Sequence, residues 1–551
     1  MKVKPLLQSI NPSTFLQDYL QALGIQDVEK YLNAGLDVMD SPWDYPNIKE
    51  GVERLKKAID GGEKIGILVD ADCDGQLSAA LITKFLLRFT NNLAYFFHVG
   101  KGHGLVQNKE EDIPQQVLDS GVSLLITPDS STNDAPQCQW LKSNGIDCLV
   151  LDHHEVTTPN PHAIIINHHL GEGLNTALSG TGVTHKFTIS CAESWNIDLG
   201  DLYYDLVATS IISDVCDLTT LENRAYIKYG FEHITDPMLK LMFTKFNRKG
   251  NNPIGVSWGA VPPINSLCRG DDQQAKMDFF MALIGKGNMD EGISLARKAH
   301  NEQTKIVKTI YKEIEPNLDQ SHKMVIGYTT EKYKGYTGLI ANKITGNFSK
   351  PSLVLRELNP TTWSGSLRSP VDIADKINES KLAQCQGHLS AAGCVIKKSN
   401  LNRLIKWFDA LPLDTDPERQ VTAILKPNQV TLSLCHACSD DMVLWGASEG
   451  SKIVQPKFYL EFETSPSDIQ VFVKKSTTVK ITKNDVSFLK FQCDDETAQL
   501  LQRERCRVAM IVTLGVNEWN GIESPQAMVE NWEVSEIKDN GASEENWMDL
   551  F

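Results

Sequence analysis

Residues 65 to 75, Ile-Gly-Ile-Leu-Val-Asp-Ala-Asp-Cys-Asp-Gly, place three alternating carboxylates directly after a short apolar run. An apolar run of this length that ends in a polar loop is typical of a buried strand in a parallel sheet. Two later runs have the same form, because Leu124 to Thr127 precedes Asp129 and Cys148 to Leu151 precedes Asp152. Helical patterns alternate with these runs. We therefore predict an α/β fold whose parallel sheet is covered by helices on both faces.

The acids that follow these strands are expected to converge. In an open parallel sheet the carboxyl ends of the strands lie along one edge, where ligands bind. Asp70, Asp72 and Asp74 are hard oxygen ligands of the kind that Mg²⁺ and Mn²⁺ prefer. An EF-hand calcium loop begins in the same way, but its twelfth position, here Leu81, must be an acid. The acids by themselves predict a divalent-metal site.

Two further segments supply candidate ligands. Asp152-His153-His154 adds two imidazoles to a strand-end acid, and neutral imidazole is a normal ligand beside carboxylates. Asp214 lies within an otherwise apolar helical stretch, Leu206 to Val215. A buried acid in such a stretch needs a partner, so we expect Asp214 to join the same site.

The composition restricts the class of protein. The chain has 551 residues, of which 41% are hydrophobic and 23% charged, as in soluble globular proteins. No apolar run approaches the roughly 20 residues that span a bilayer, and the N-terminus lacks the apolar core of a signal peptide. The net charge of -16 argues against a wholly phosphate-binding surface but permits a local basic groove. We expect a monomeric cytoplasmic protein with no membrane partner.

The 12 cysteines are scattered, and a chain of this size does not need disulfides to compensate for a small core. Reduced thiols are therefore expected. Cys435 and Cys438 form one CxxC pair, but a zinc ribbon needs a second pair at ligand spacing, and none follows.

Four segments, in order along the chain, resemble the motifs of the DHH phosphoesterases, and among them the RecJ-like exonucleases specific for single strands. These segments are Val69 to Gly75 with Ser78, Ile126 to Asp129, Asp152 to His154, and Asp205 to Val215. Between the last two, Leu178 to Val183 matches an LxGxGV segment of the same proteins. The resemblance implies a DHH domain joined to a second lobe, DHHA1.

The resemblance also assigns roles to residues of the site. It implies two divalent cations, Mn²⁺ or Mg²⁺, which share Asp129 as a bridging carboxylate. His154 is expected to contact phosphoryl oxygens, and Asp152 to orient an imidazole. The expected catalytic residues are therefore Asp129, Asp152, His153 and His154. The expected metal ligands are Asp70, Asp72, Asp74, Asp129, His153 and Asp214.

Substrate contacts are expected from three further stretches. Pro263 to Arg269 is similar to a PRxNAxGR segment of RecJ-like proteins, with Pro263 where arginine is usual. Ser364 to Ser369 and Gly387 to Gly393 resemble the DHHA1 lobe, in which glycines let a backbone approach phosphate. The residues assigned to substrate binding in this way are Arg269, Ser366, Arg368, Gly387 and His388.

The C-terminal part of the chain suggests contacts with DNA and with partner proteins. Leu514 to Gly521 resembles the closing strands of an OB-fold barrel, and OB folds hold single strands by stacking and cations. Candidates for such contacts are Phe458, Tyr459, Phe472, Lys474 and Lys475. The last five residues, Trp547, Met548, Asp549, Leu550 and Phe551, resemble short peptides that dock in bacterial sliding clamps and, less closely, the tails of single-strand-binding proteins.

These patterns predict six segments along the chain. They are an N-terminal helical cap (1–60), a DHH catalytic domain (61–230), a helical connector (231–315), a DHHA1 substrate-binding domain (316–415), an OB-like domain (416–537) and an acidic tail (538–551).

The function implied by the resemblance is metal-dependent 5′ to 3′ hydrolysis of single-stranded DNA in replication, recombination or repair. Smaller two-lobed relatives hydrolyse short oligoribonucleotides or dinucleotides, and the long C-terminal extension argues against that alternative. A second alternative is an inactive replication scaffold. Such scaffolds typically lose the acids, whereas every motif here keeps its carboxylate.

Overall fold

The structure, a computed structural model, describes residues 1–107, 111–388, 390–412, 418–474 and 476–537. The α-helices are α1 Phe15–Ala22, α2 Val28–Leu32, α3 Ile48–Asp60, α4 Cys73–Leu86, α5 Ile113–Asp119, α6 Ala135–Ser143, α7 Gly180–Ser194, α8 Tyr204–Ser213, α9 Leu221–Glu232, α10 Pro237–Phe246, α11 Pro253–Trp258, α12 Val261–Cys268, α13 Gln273–Leu283, α14 Met289–Ile314, α15 Thr337–Phe348, α16 Ala374–Glu379, α17 Leu401–Ala410, α18 Leu432–Ser439 and α19 Asp495–Arg503.

The strands are β1 Val3–Pro5, β2 Ile65–Val69, β3 Leu93–Phe97, β4 Leu124–Pro128, β5 Asp147–Leu151, β6 Ile164–Ile166, β7 Val325–Thr329, β8 Ser352–Asn359, β9 Thr362–Arg368, β10 Ala383–His388, β11 Ala391–Lys397, β12 Arg419–Val421, β13 Ala423–Leu425, β14 Lys457–Thr464, β15 Ile469–Val473, β16 Thr477–Lys483, β17 Val486–Cys493, β18 Cys506–Trp519 and β19 Ile522–Glu536.

The predicted parallel sheet is formed by five strands in the order β3-β2-β4-β5-β6. Every neighbouring pair is parallel, from Ile65 opposite Leu93 to Leu151 opposite Ile166. All five residues of β2 are buried, as expected for a strand that is covered on both faces. The predicted α/β fold with a parallel sheet is confirmed.

Three helices frame the carboxyl edge of this sheet. α4 follows β2 almost at once and is capped by Asp72, whose side chain accepts a hydrogen bond from the Gly75 backbone. α4 is buried along nearly its whole length and packs against α7 and α8. The start of α7 and the end of α8 are thereby held beside the loop that carries the first three acids.

The second lobe is a mixed sheet in the order β10-β11-β9-β8-β7. β7 and β8 run parallel, while the remaining pairs are antiparallel. Its core includes Leu353, Leu355, Leu367 and Phe408, so α17 covers one face. The helices α10 to α14 lie between the two sheets in sequence.

The chain folds as two compact units. One contains Met1–Asn33, Glu418–Trp445 and the chain from Lys452 onward, and the other contains the two lobes with Gly446–Ser451. β1 pairs in parallel with β12, which joins the N-terminus to the C-terminal segment. Residues 1–60, predicted as one helical cap, are therefore divided, since α1 and α2 belong to the first unit and α3 to the second. Amphipathic spacing marks a helix as half-buried but does not identify the core that it faces.

The C-terminal unit is built on a mixed seven-stranded sheet in the order β13-β14-β18-β19-β17-β16-β15. This order has two ends, so the closed OB-like barrel stays a prediction. Phe458 and Tyr459, predicted to stack on DNA, are both buried, so that prediction is wrong for them. They point to opposite faces of β14, where Phe458 packs against Phe15 and Tyr459 against Val421 and Ile511. Phe472 is about half exposed and stays a candidate beside Lys474, whereas Lys475 lies outside the described residues.

Within the described ranges, we find no helix that combines the length and apolar character needed to cross a bilayer.

Candidate metal and phosphate site

The site is centred on Asp129, which follows β4 directly. Its backbone N–H donates to the Leu151 carbonyl at 2.8 Å, which continues the pairing of β4 with β5 beyond the strand end. Its φ of 63° lies in the left-handed region, which Asp and Asn adopt more readily than most residues. The carboxylate is buried at the carboxyl edge of the sheet.

The predicted ligands come together around this carboxylate. Donor atoms lie within 4.8 Å of one another in three overlapping sets. The sets are Asp129, Asp152, His153 and His154; Asp74, His153 and Asp214; and Asp70, Asp72 and Asp129. Asp129 and His153 each belong to two sets. Every residue that the sequence assigned as a metal ligand is therefore present in at least one.

One oxygen of Asp129 has no hydrogen-bond donor. Asp129 Oδ1 is buried without a hydrogen bond, although His153 Nε2 lies 3.2 Å away. The same imidazole nitrogen lies 3.8 Å from Asp214 Oδ2. A buried carboxylate oxygen without a partner is costly, and a cation bound there removes that cost. Carboxylates together with one imidazole fit a divalent cation such as Mn²⁺ or Mg²⁺.

Mutual repulsion among the carboxylates supports the same conclusion. Burial, together with the charges of Asp74 and Asp72, raises the pKa of Asp129 well above its usual value. Burial also raises the pKa of Asp214 to about 6, against a lowering effect of His153. Burial and Asp70 raise the pKa of Asp72. Acids that disfavour one another's ionised form in this way are stabilised by bound cations.

Asp74 is held by the start of α7. Its Oδ2 accepts from the Gly180 backbone at 2.8 Å, and its Oδ1 accepts from the Thr181 backbone at 2.8 Å and hydroxyl at 2.5 Å. The Ser210 hydroxyl of α8 donates to the same Oδ1 at 2.6 Å. A carboxylate at a helix N-terminus satisfies otherwise unpaired N–H groups and interacts favourably with the helix dipole. The LxGxGV segment thus positions an acid of the site.

Asp152 orients His154 through a hydrogen bond to its ring. Asp152 Oδ1 accepts from His154 Nδ1 at 2.7 Å, and Oδ2 accepts from the Thr132 backbone at 3.0 Å. Burial raises the pKa of Asp152, but the hydrogen bond with His154 lowers it by more, so the pKa lies well below its usual range. The structure therefore places Asp152 where an orienting carboxylate is needed.

Asp70 is engaged by two imidazoles that the sequence did not single out. Its Oδ1 accepts from His98 Nε2 at 3.0 Å and its Oδ2 from His103 Nδ1 at 2.7 Å, while the Gly104 backbone also donates to Oδ1. Partial burial lowers the pKa of His103, but contact with Asp70 raises it more, to about 9. The ligand role of Asp70 stays a prediction, and the structure adds a second role, that of holding His103.

Two cations lie beside Asp72, and a third, from the second lobe, lies near those two. Arg269, at the end of α12, approaches Asp72 with 3.9 Å between Nη2 and Oδ2. Burial lowers the pKa of Lys101, and the nearby charges of Arg269 and Arg368 lower it further. The pKa of Arg368, on β9 of the second lobe, is likewise lowered by burial and by Arg269. Lys101, Arg269 and Arg368 therefore form a cation cluster next to the acids, suited to a phosphate group.

The other predicted substrate contacts lie near this cluster on the second lobe. Ser366 precedes Arg368 on β9, and its hydroxyl lies 2.9 Å from that of Thr337. Gly387, on β10, has a φ of 128° that favours glycine. The side chain of His388 lies outside the described part of the structure, as do Trp547, Met548, Asp549, Leu550 and Phe551.

Residues 64–211, which contain this cluster of acids and histidines, match the sequence model of the DHH family, N-terminal domain. This part of the chain is a DHH domain. A putative SPbeta prophage-derived single-strand DNA-specific exonuclease, YorK of Bacillus subtilis, is 25% identical over 95% of this chain and 96% of its own length. The single-stranded-DNA-specific exonuclease RecJ of Bacillus subtilis is 23% identical over 97% of this chain and 70% of its own length.

Solved structures show the same fold. The crystal structure of RecJ in complex with Mn²⁺ from Thermus thermophilus is similar with a TM-score of 0.75 at 19% identity. The match covers 98% of this chain and 80% of that one. The fold of this RecJ structure therefore matches the present chain over nearly its whole length.

The sequence pattern missed three residues of this DHH-family site. His98 directly follows β3, so the strand-end rule that identified the acids also points to it. Lys101 and His103 lie in the loop after that strand, each followed by a glycine, and nothing local distinguishes them from ordinary loop residues. Only the path of the loop brings them to Asp72 and Asp70.

The close approach of α7 to Asp129 makes a sharp prediction for Gly180. A Cβ at Gly180 would lie 2.7 Å from Asp129 Cβ and 2.8 Å from its Cα, so the backbone must shift. We expect Gly180→Ala to lower Mn²⁺ affinity and hydrolysis by roughly 100-fold, because small displacements of reacting groups are costly. Isothermal titration calorimetry and a single-strand cleavage assay measure both.

A matched control is Gly346→Ala on α15, where no atom lies within 4 Å of the added Cβ. This exposed helical position should gain up to about 1 kcal/mol of stability and keep its activity. Equal activity of the two variants would show that α7 does not set the geometry of the site.

Proposed function

We propose that this chain is a divalent-metal-dependent exonuclease that hydrolyses single-stranded DNA in the 5′ to 3′ direction. One observation carries the proposal. The overlapping sets of donor atoms around Asp129 and His153 lie beside the cation cluster of Lys101, Arg269 and Arg368. Acids that bind metal and cations that bind phosphate are the two requirements of metal-assisted phosphodiester hydrolysis.

The proposed ligands of the two cations are Asp70, Asp72, Asp74, Asp129, His153 and Asp214. When bound, two such cations lower the pKa of water and offset charge on the leaving oxygen. Asp129 belongs to two of the donor sets, which supports its assignment as the shared ligand. The backbone N–H groups of α7 fix Asp74, and Asp152 fixes the His154 ring so that its other nitrogen is available to a phosphoryl oxygen.

The relatives support the choice of substrate. RecJ of Bacillus subtilis is named as an exonuclease specific for single-stranded DNA, and YorK is named as a putative one. Because the match to YorK covers 95% of this chain, it includes the C-terminal unit as well as the two lobes. A two-lobed dinucleotide hydrolase would not account for that unit. The intact donor sets argue equally against an inactive scaffold.

The experiment uses the purified chain, Mn²⁺ and oligonucleotides labelled at one end. We expect mononucleotides to appear first from a strand labelled at its 5′ end, with little cleavage of a blunt duplex and slower turnover of a dinucleotide. Release that begins at a 3′ label would overturn the polarity, and faster turnover of the dinucleotide would favour the alternative substrate. Inactivity on every substrate with Mn²⁺ and with Mg²⁺ would overturn the proposal itself.

The cation cluster is proposed to hold the terminal phosphate of the strand. Arg368→Ala should raise KM for a 5′-phosphorylated strand by roughly 10-fold, because a hydrogen bond to a charged group contributes about 1.5 to 3 kcal/mol. The same variant should change KM for a 5′-hydroxyl strand much less. Steady-state kinetics on the two strands measure the difference.

Arg403→Ala is the matched control, because Arg403 is an exposed arginine of the same lobe on α17. It should leave KM unchanged for both strands. An Arg368→Ala effect of equal size on both strands would show that the cluster binds the DNA backbone in general and does not recognise its end.

The proposal also includes the cellular location of the enzyme and its protein partners. We place it in the cytoplasm, consistent with the 12 cysteines, which are all free and buried. The C-terminal residues from 547 to 551 are proposed to bind a sliding clamp or a single-strand-binding protein. A chain truncated after residue 537 should keep its activity on naked DNA and lose binding to whichever of these two proteins the full chain binds. Retained binding would overturn the role of the tail.

A further inference from the structure

Two aspartate–histidine pairs stand side by side at the site. His103 Nδ1 lies 2.7 Å from Asp70 Oδ2, and His154 Nδ1 lies 2.7 Å from Asp152 Oδ1. The two imidazole rings contact each other edge to face, with their centroids 4.7 Å apart. One pair comes from the DHH motif, and the other joins the first acidic loop to the loop after β3.

The two pairs are built alike. Both carboxylates are buried, at 3% and 1% exposure of the side chain, whereas the imidazoles are 52% and 43% exposed. In each ring the hydrogen bond to the carboxylate uses Nδ1 and leaves Nε2 to act on a ligand. A carboxylate bonded to the inner nitrogen fixes the orientation of the ring and favours the ring that carries both protons, in which the outer N–H can donate to an anion.

His103 is braced more strongly than an exposed loop residue requires. Its partner Asp70 also accepts from buried His98 at 3.0 Å and from the Gly104 backbone at 3.1 Å. His98 Nδ1 in turn lies 3.4 Å from Glu111 Oε1. This buried chain of acid, imidazole and acid ends on a ring that faces the site. Burying three polar groups to hold one exposed ring costs desolvation free energy. We therefore take the direction of that ring to be functional.

We propose that His103 and His154 form a paired imidazole clamp that contacts the non-bridging oxygens of the scissile phosphate. The inference rests on the proposed function and extends it with a residue outside the DHH motif. His103 is absent from the donor sets that the described residues form around Asp129. The clamp therefore assigns His103 to the phosphate and leaves the cations to those sets.

Two substitutions separate the clamp from a purely structural role. The amide of asparagine can replace Nδ1, so His103→Asn keeps the bond to Asp70 and loses the outer donor. The longer glutamine places its amide near Nε2, so His103→Gln keeps the outer donor. We expect kcat on single-stranded DNA with saturating Mn²⁺ to fall roughly 10- to 100-fold in His103→Asn and less in His103→Gln.

A phosphorothioate of defined configuration at the first linkage reports on the contact itself. In the wild type, sulfur at the oxygen that His103 contacts should slow cleavage. In His103→Asn that difference between diastereomers should shrink, because the contact is already missing. Calorimetry should give the same Mn²⁺ affinity for both proteins, and their melting temperatures should agree.

His322→Asn is the matched control. His322 forms an equivalent pair with Asp409 in the second lobe, with 2.5 Å between Nδ1 and Oδ2. It should leave kcat and the sulfur effect unchanged. Unchanged kcat in His103→Asn, loss of activity in parallel with loss of Mn²⁺ binding, or better function of asparagine than of glutamine would each overturn the clamp. An inactive wild type would instead overturn the proposed function.

Discussion

Asp129→Asn should abolish hydrolysis of single-stranded DNA and at the same time raise the melting temperature of the metal-free protein. Asparagine preserves the size of the side chain and tolerates the φ of 63°, so the backbone need not move. Loss of the shared ligand should lower kcat by roughly 1000-fold or more. Removal of one negative charge from a buried group of acids should relieve their repulsion.

The direction of the stability change follows from the pKa. Burial and the charges of Asp74 and Asp72 raise the pKa of Asp129 in the folded state. The stability that this group contributes is therefore present below its unfolded pKa of about 3.9 and is lost as the pH rises through the higher folded value. At pH 7 the melting temperature of the metal-free variant should exceed that of the metal-free wild type, and this difference should shrink as the pH approaches 4.

Thermal melts with EDTA and with Mn²⁺, at several pH values, measure this prediction. Mn²⁺ should raise the melting temperature of the wild type more than that of the variant, because ligands that bind only the folded state stabilise it. Asp119→Asn, at an exposed position on α5, should change neither activity nor melting temperature. Activity retained in Asp129→Asn would contradict the site, and a less stable metal-free variant would contradict the account of repulsion.

Lys186→Met should produce the largest loss of stability. Lys186 on α7 forms an ion pair with Glu222 on α9, and both side chains are almost fully buried. Lys186 also donates to the Asp40 carbonyl at 2.5 Å, and Glu222 accepts from the Asp40 backbone at 3.1 Å. Removal of one partner leaves a buried unpaired charge, which costs about 3 to 5 kcal/mol. Urea denaturation, followed by circular dichroism, measures the free energy of unfolding.

The double variant Lys186→Met with Glu222→Gln separates the charge from the packing. It should recover much of the lost free energy, because neither side chain is then charged. Lys56→Met removes an exposed pair with Asp60 and should change stability by less than about 1 kcal/mol. A Lys186→Met chain as stable as the surface variant would show that Glu222 is satisfied by its other donors alone.

The sequence by itself determined the parallel sheet and the acids at its edge. Short apolar runs that end in carboxylates have a local signature, and the geometry of parallel strands brings their ends together whatever lies between them. Asp129 and His153 could therefore be assigned to one site from the sequence. Asp214, at the end of α8, was added because a buried acid needs a partner, and the resemblance to the DHH family added the second lobe. These predictions depend on patterns within single strands and motifs.

Tertiary structure alone decided how the remaining residues are used. The pairing of His103 with Asp70, and the approach of Lys101 to Arg368 of the second lobe, depend on the paths of loops and on the packing of two lobes. The assignment of residues 1–33 to the C-terminal unit depends on a strand pairing between Val3 and Arg419. Such contacts join segments far apart in the chain, and a pattern within one segment carries no information about its distant partner.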